Sequence, residues 1–153
     1  MNIKTQNYLR QLDYQFELVK NVENDEIKSM LTQYLCIRIS GLLETFIKSC
    51  ISDYAQGRVP KEVNRYISGK IKDITNLKCT KLKDVLDSFS NEWSDDFSNY
   101  IEEHEQQKNS IDSLVTNRHN IAHGQTGNMS FNNLEQYYED TKAIITKLDT
   151  III

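Results

Sequence analysis

The feature that most constrains the fold is residues 25–56, where apolar side chains recur every three or four positions. An α-helix has about 3.6 residues per turn, so this spacing places them on one side of a helix. Asn24 or Asp25 can cap its start, because a side-chain oxygen accepts a hydrogen bond from a free N–H group there. We expect one long helix whose apolar side carries Ile27, Leu31, Tyr34, Leu35, Leu42, Leu43, Phe46, Ile47, Cys50, Ile51 and Tyr54.

Similar periodicity continues along the rest of the chain, which holds one proline and five glycines. So few turn-forming residues disfavour an all-β fold, which needs many turns. Residues 3–21 predict a first amphipathic helix. Pro60 suits the first turn of another helix, and Thr80 predicts the cap of a further one.

The last third of the chain predicts two more helices. Ser94, followed by two aspartates, predicts the start of a helix that runs unbroken to Ala122. Asn132 with Glu135 resembles a capping pair for the last helix. The sequence therefore predicts an all-α fold for residues 1–153, a single domain formed by a bundle of about five helices.

Several residue types indicate the compartment. No apolar run approaches the roughly 20 residues of a membrane span, and the N-terminus lacks the apolar segment of a secretion signal. Cys36, Cys50 and Cys79 have no metal-like spacing, and we interpret them as reduced thiols, the first two in the core. We expect a cytoplasmic protein without membrane contact. Trp93 is expected to pack in the core, and His104, among glutamates, to be a solvated surface residue.

Charge is distributed unevenly along the chain, although the formal net charge is only −4. Residues 58–83 hold eight basic side chains against two acids, whereas residues 84–112 hold nine acids against Lys108 alone. This asymmetry is typical either of ordinary solvated helix faces or of one basic, RNA-facing surface beside an acidic one.

Chemically versatile side chains are concentrated in residues 113–124. Ile111, Leu114, Val115, Ile121 and Ala122 form an apolar stripe of helical period, which Arg118 interrupts. Arg118 therefore lies at the edge of the stripe or is held as a charge in a crevice. Gly124 predicts the helix end, because glycine adopts the left-handed conformation at little cost.

Arg118 and His123 suit phosphate chemistry. A guanidinium binds a phosphodiester through two hydrogen bonds, and an imidazole transfers protons near neutral pH. His119 shares a helix face with His123, and Asn120 is close by. Two histidines at this spacing can also form half of a metal site, but no further nearby ligand supports one. A surface helix without function remains the alternative, and we expect no cofactor.

Glu44 is the most suggestive acid of the long helix. If it faces Arg118 or His123, its carboxylate would orient the arginine or fix the histidine tautomer. The alternative is an ion pair within the helix with Lys48, four residues later, which contributes about 0.3 kcal/mol.

The stretch Arg118-His-Asn-Ile-Ala-His123-Gly124 resembles the arginine-four-residues-histidine motif of the HEPN superfamily. Residues 40–48 resemble that family's long early helix, and residues 132–138 its last helix. His119 stands where asparagine is usual, and Asn120 can compensate. Within the family, the chain resembles the small stand-alone prokaryotic proteins that are similar to RNA-targeting toxins.

The resemblance implies a helical homodimer, often with metal-independent RNA cleavage. Arg118 and His123 would be catalytic, and His119, Asn120 and Glu44 would position the substrate or the pair. The implied partners are RNA and an antitoxin or defence-system protein, for a toxin or anti-phage effector. Non-catalytic members imply an alternative, a dimer that binds RNA, nucleotide or protein. In a third alternative, a partner enzyme would modify a hydroxyl such as that of Tyr137 or Tyr138.

Overall fold

A 31-residue helix, α2 (Asp25–Ala55), lies at the centre of the fold in a computed structural model. The structure describes residues 1–125 and 129–153, and these form seven helices without any strand. The all-α prediction is confirmed, whereas the predicted count of about five helices is wrong. The other six helices are α1 (Ile3–Lys20), α3 (Lys61–Lys72), α4 (Cys79–Asp87), α5 (Asn91–Glu103), α6 (Glu105–Ala122) and α7 (Phe131–Ile151).

α2 organises the bundle because four other helices pack on it. Asn24 caps its start by accepting a hydrogen bond from the N–H of Ile27 at 2.9 Å. From Thr32 onward it buries apolar side chains against α1, α3, α6 and α7. Ile27 and Tyr34, expected on the packed side, are instead 51% and 44% exposed. The buried side of α2 therefore begins in its third turn, at Thr32.

The helix predicted over residues 94–122 is two helices, α5 and α6, which meet at His104. Ser90, not Ser94, caps α5, and its hydroxyl accepts the N–H of Trp93 at 3.4 Å. The His104 ring stacks on Tyr100 at 4.1 Å, and its Nδ1 lies 2.7 Å from the Tyr100 carbonyl oxygen. His104 is thus a half-buried residue that ends a helix, and its prediction as a solvated surface residue is wrong.

Two further helix starts differ from the sequence-based expectation. α7 is capped by Ser130, whose hydroxyl accepts the N–H of Asn133 at 3.1 Å, so Asn132 is not the cap. α4 begins at Cys79 rather than after Thr80. The carboxylate of Asp112, on α6, accepts the N–H of Cys79 at 2.8 Å and satisfies a donor that no local side chain caps.

The core contains residues from all seven helices. Trp93 packs edge-on against Tyr54 at 4.8 Å and is buried, as predicted for a core residue. Cys36 and Cys79 are buried and Cys50 is half-buried. Burial raises the pKa of each thiol from 9.0 to about 12, which keeps these thiols protonated even in moderately alkaline solution. Within the described residues, none of the helices combines the length and hydropathy needed to cross a membrane.

Candidate functional site

Helix α6 carries the polar motif at its C-terminal end. Ile111, Leu114 and Val115 are buried along the helix, and Arg118 continues their side at the next helical position. Gly124 ends the helix with φ of +72°. Its N–H donates to the Ile121 carbonyl at 3.1 Å, and the next N–H, of Gln125, donates to the Asn120 carbonyl at 2.9 Å. These two bonds form a Schellman motif and fix where the helix ends.

Arg118 is held in a crevice by a buried acid. Its Nη1 donates to Oε1 of Glu44 on α2, and the two side chains are 26% and 10% exposed. Burying Glu44 is tolerable because the guanidinium balances its charge. Lys48 is not its partner, since its ammonium donates to the Lys72 carbonyl at 3.0 Å. Of the partners considered for Glu44, the structure therefore places Arg118 against it.

Asn76, between α3 and α4, is a third member of this cluster that sequence reasoning missed. Its backbone N–H donates to the same Glu44 oxygen at 2.8 Å, and its Oδ1 lies 3.4 Å from Nη1 of Arg118. Asn76 has φ of +54°, the only positive φ outside glycine in the described chain. Asparagine tolerates this conformation better than most residues, which is the one local signal the sequence offered.

The arginine retains donors for a ligand. Both of its hydrogen bonds come from Nη1, and neither Nε nor Nη2 donates to an acceptor in residues 1–125 or 129–153. A guanidinium carries five N–H donors in a planar fork. Glu44 and Asn76 thus fix the orientation of Arg118 while leaving part of the fork able to bind a phosphate.

The two motif histidines lie side by side on the exposed surface. The ring centroids of His119 and His123 are 4.4 Å apart, with the planes inclined by 57°. His123 is the C-terminal cap residue of α6, and its N–H donates to the His119 carbonyl at 3.1 Å. Asn120 is half-buried, and its carbonyl accepts the bond that closes the helix. Of the proposed substrate-facing loop, residues 125–128, positions 126–128 lie outside the described residues.

A cavity of about 430 Å³ adjoins the motif on the exposed side of α6. Part of the basic segment 58–83 lines this cavity beside His119. Its wall is formed by Asn76, Lys78, Thr80, Lys81, Val115, Thr116 and His119. The fold therefore brings two basic side chains next to the motif, although they precede it by nearly 40 residues. The acidic segment contributes Asp112 nearby, but that carboxylate caps α4.

Tyr138, considered as a hydroxyl that a partner enzyme modifies, is unsuited to that role. It is buried, and its hydroxyl donates to the Asp13 carboxylate at 2.8 Å. Burial and that hydrogen bond raise its pKa well above the usual range. Tyr137 is half-buried.

The described residues contain no group of three His, Cys, Asp or Glu side chains arranged to hold a metal ion. No curated protein and no solved structure matches the chain. Residues 3–153, nearly the whole chain, match the family described as RiboL-PSP-HEPN. The chain therefore belongs to this family and, as residues 118–124 predicted, to the HEPN superfamily.

Proposed function

We propose that this protein is a metal-independent endoribonuclease in which Arg118 and His123 are catalytic. The observation that supports this most is the state of Arg118, which lies half-buried on an otherwise apolar side of α6 and is oriented by Glu44 and Asn76. A fixed cation with unused donors stabilises the charge that develops on a phosphate during cleavage.

The chemistry uses the nucleophile that RNA itself carries. The 2′-hydroxyl attacks the neighbouring phosphorus, a 2′-O–P bond forms and the P–O5′ bond breaks. The proton of the 2′-hydroxyl leaves to a base, and the departing 5′ oxygen takes one up. His123, which is exposed, would perform one of these transfers, and His119 and Asn120 would position the substrate. The products are a 2′,3′-cyclic phosphate and a 5′-hydroxyl.

The proposal includes a homodimer with a composite site. Arg118 and His123 are separated by roughly 140° around the helix and about 7.5 Å along it, so one chain does not direct both at one phosphate. Exposed apolar side chains recur along α2 at Ile27, Met30, Tyr34 and Ile37, with exposures between 39% and 66%. A second copy could bury this surface. Met30→Glu is then expected to give a monomer by light scattering and to reduce cleavage.

The decisive experiment is cleavage of RNA by purified protein in excess chelator. We expect activity that Arg118→Ala and His123→Ala each abolish, and that Arg10→Ala leaves unchanged, because Arg10 is an exposed arginine of α1. RNA with 2′-deoxyribose at the cleaved position should resist the parent protein. Cleavage of that substrate, or full activity in either motif variant, would refute the proposed chemistry.

In the cell, we propose that the cleavage acts as a toxin or an anti-phage defence. Expression is then expected to arrest growth, and His123→Ala to restore it. The alternative is a non-catalytic dimer that binds RNA or nucleotide as a regulatory or scaffold module. It would be supported if the parent protein binds RNA without cleaving it and Arg118→Ala weakens that binding.

A further inference from the structure

The cavity between α6 and the start of α4 shares residues with the arginine cluster. Asn76 lines the cavity and also donates its backbone N–H to Glu44, the partner of Arg118. His119 lines it from the other side, and its ring lies 4.4 Å from that of His123. A molecule in the cavity would therefore be an immediate neighbour of a phosphate bound at Arg118.

The lining of the cavity matches the parts of a nucleotide. Lys78 is exposed, and its side chain, with that of His119, offers donors to an anionic phosphate. The hydroxyl of Thr80 can donate a hydrogen bond to a ribose oxygen, whereas the Thr116 hydroxyl already donates to the Asp112 carbonyl at 2.9 Å. The small exposed part of Val115 adds an apolar contact. A volume of about 430 Å³ lies within the range of roughly 300–1,000 Å³ usual for small-ligand sites.

We infer that this cavity is a second subsite, which holds the nucleotide next to the cleaved phosphate in a bound RNA strand. The inference rests on the proposed function for the identity of that neighbouring phosphate. An RNA strand is favoured over a free nucleotide because the cavity opens beside a second anion-binding group, Arg118, and a strand spans both. The formal net charge of −4 means that binding must rely on such local basic residues.

The test measures binding of a 2′-O-methyl RNA hexanucleotide, which cannot be cleaved because its nucleophile is blocked. Lys78→Ala is compared with Lys83→Ala, which removes the same charge from α4 but lines another cavity. Because one phosphate contact is lost, we expect Lys78→Ala to weaken binding about five-fold. The slope of log binding constant against log salt concentration should become shallower by about 0.7. Lys83→Ala should change binding less than about two-fold.

Equal binding by Lys78→Ala and Lys83→Ala would overturn the subsite, even if cleavage still depends on Arg118 and His123. Weaker binding in Lys78→Ala alone would support the subsite, even if the parent protein cleaves no RNA and the proposed catalysis fails. A 5′-mononucleotide that binds the parent as tightly as the hexanucleotide would show a free-nucleotide site and would overturn the inference of a strand.

Discussion

Removing Arg118 tests whether it stabilises the fold as well as serving the site. Removing one partner of a buried ion pair costs about 3–5 kcal/mol, whereas an exposed pair contributes about 0–1 kcal/mol. Glu44 and Arg118 lie between these limits, with side chains 10% and 26% exposed. Arg118→Ala leaves the buried carboxylate with one described donor, the N–H of Asn76, and should cost about 2.5 kcal/mol.

Replacing Glu44 should cost less stability, because Arg118, the partner left behind, is more exposed and can be hydrated. We expect about 1.5 kcal/mol for Glu44→Gln, and about 2 kcal/mol for the double variant, in which the glutamine still accepts from Asn76. The sum of the two single effects then exceeds the effect of the double variant by about 2 kcal/mol, and this difference is the coupling energy between the two side chains.

The measurement is equilibrium unfolding in urea at pH 7, followed by far-UV circular dichroism. Arg10→Ala is the control, since removing an exposed arginine should change the free energy of unfolding by less than about 0.5 kcal/mol. If the two single effects sum to the double effect within about 0.5 kcal/mol, the two side chains are not coupled. The conclusion that Glu44 holds the Arg118 guanidinium would then be refuted.

Three further predictions concern stability, each measured by urea unfolding. Gly124→Ala should lower the free energy of unfolding by about 1–2 kcal/mol because φ at this position is +72°. Gly69→Ala, inside α3 with open space around it, should raise the free energy of unfolding by about 0.5–1 kcal/mol. A more stable Gly124→Ala than Gly69→Ala would contradict this. Asp112→Ala should cost about 1 kcal/mol through the lost cap of α4, and no loss would rule that cap out. Above pH 9.0, Cys36, Cys50 and Cys79 ionise in the unfolded chain but stay protonated in the fold. Between pH 9.0 and about 12, stability should therefore fall by about 1.4 kcal/mol per pH unit for each thiol, and less steeply in Cys36→Ala.

Local sequence signals predicted part of the fold and of the site. Asn24 and Gly124 act on backbone groups within a few residues, and both mark helix ends as expected. The interruption of an apolar stripe by Arg118 left two alternatives, the edge of the stripe or a charge held in a crevice, and the ion pair with Glu44 corresponds to the second. These features depend on hydrogen bonding and burial along one helix, which spacing alone reveals.

Other features depend on residues that are distant in sequence, and spacing did not reveal them. The start of α4 is set by Asp112, 33 residues later, and the backbone N–H of Asn76 reaches Glu44, 32 residues earlier. The break at His104 was missed because polar residues on both sides suit a continuous helix. Such contacts form only once the helices have packed.

Because Asp112 accepts a hydrogen bond from Cys79, α6 makes two separate contacts near the candidate site. The same helix fixes the basic start of α4 and, six residues later, presents Arg118 to Glu44. Inserting or deleting one residue between them would rotate one contact by about 100° relative to the other, so that both could not be made at once. Substitutions along this segment are therefore tolerable in principle, whereas a change in its length would separate the arginine cluster from the lysines that flank it.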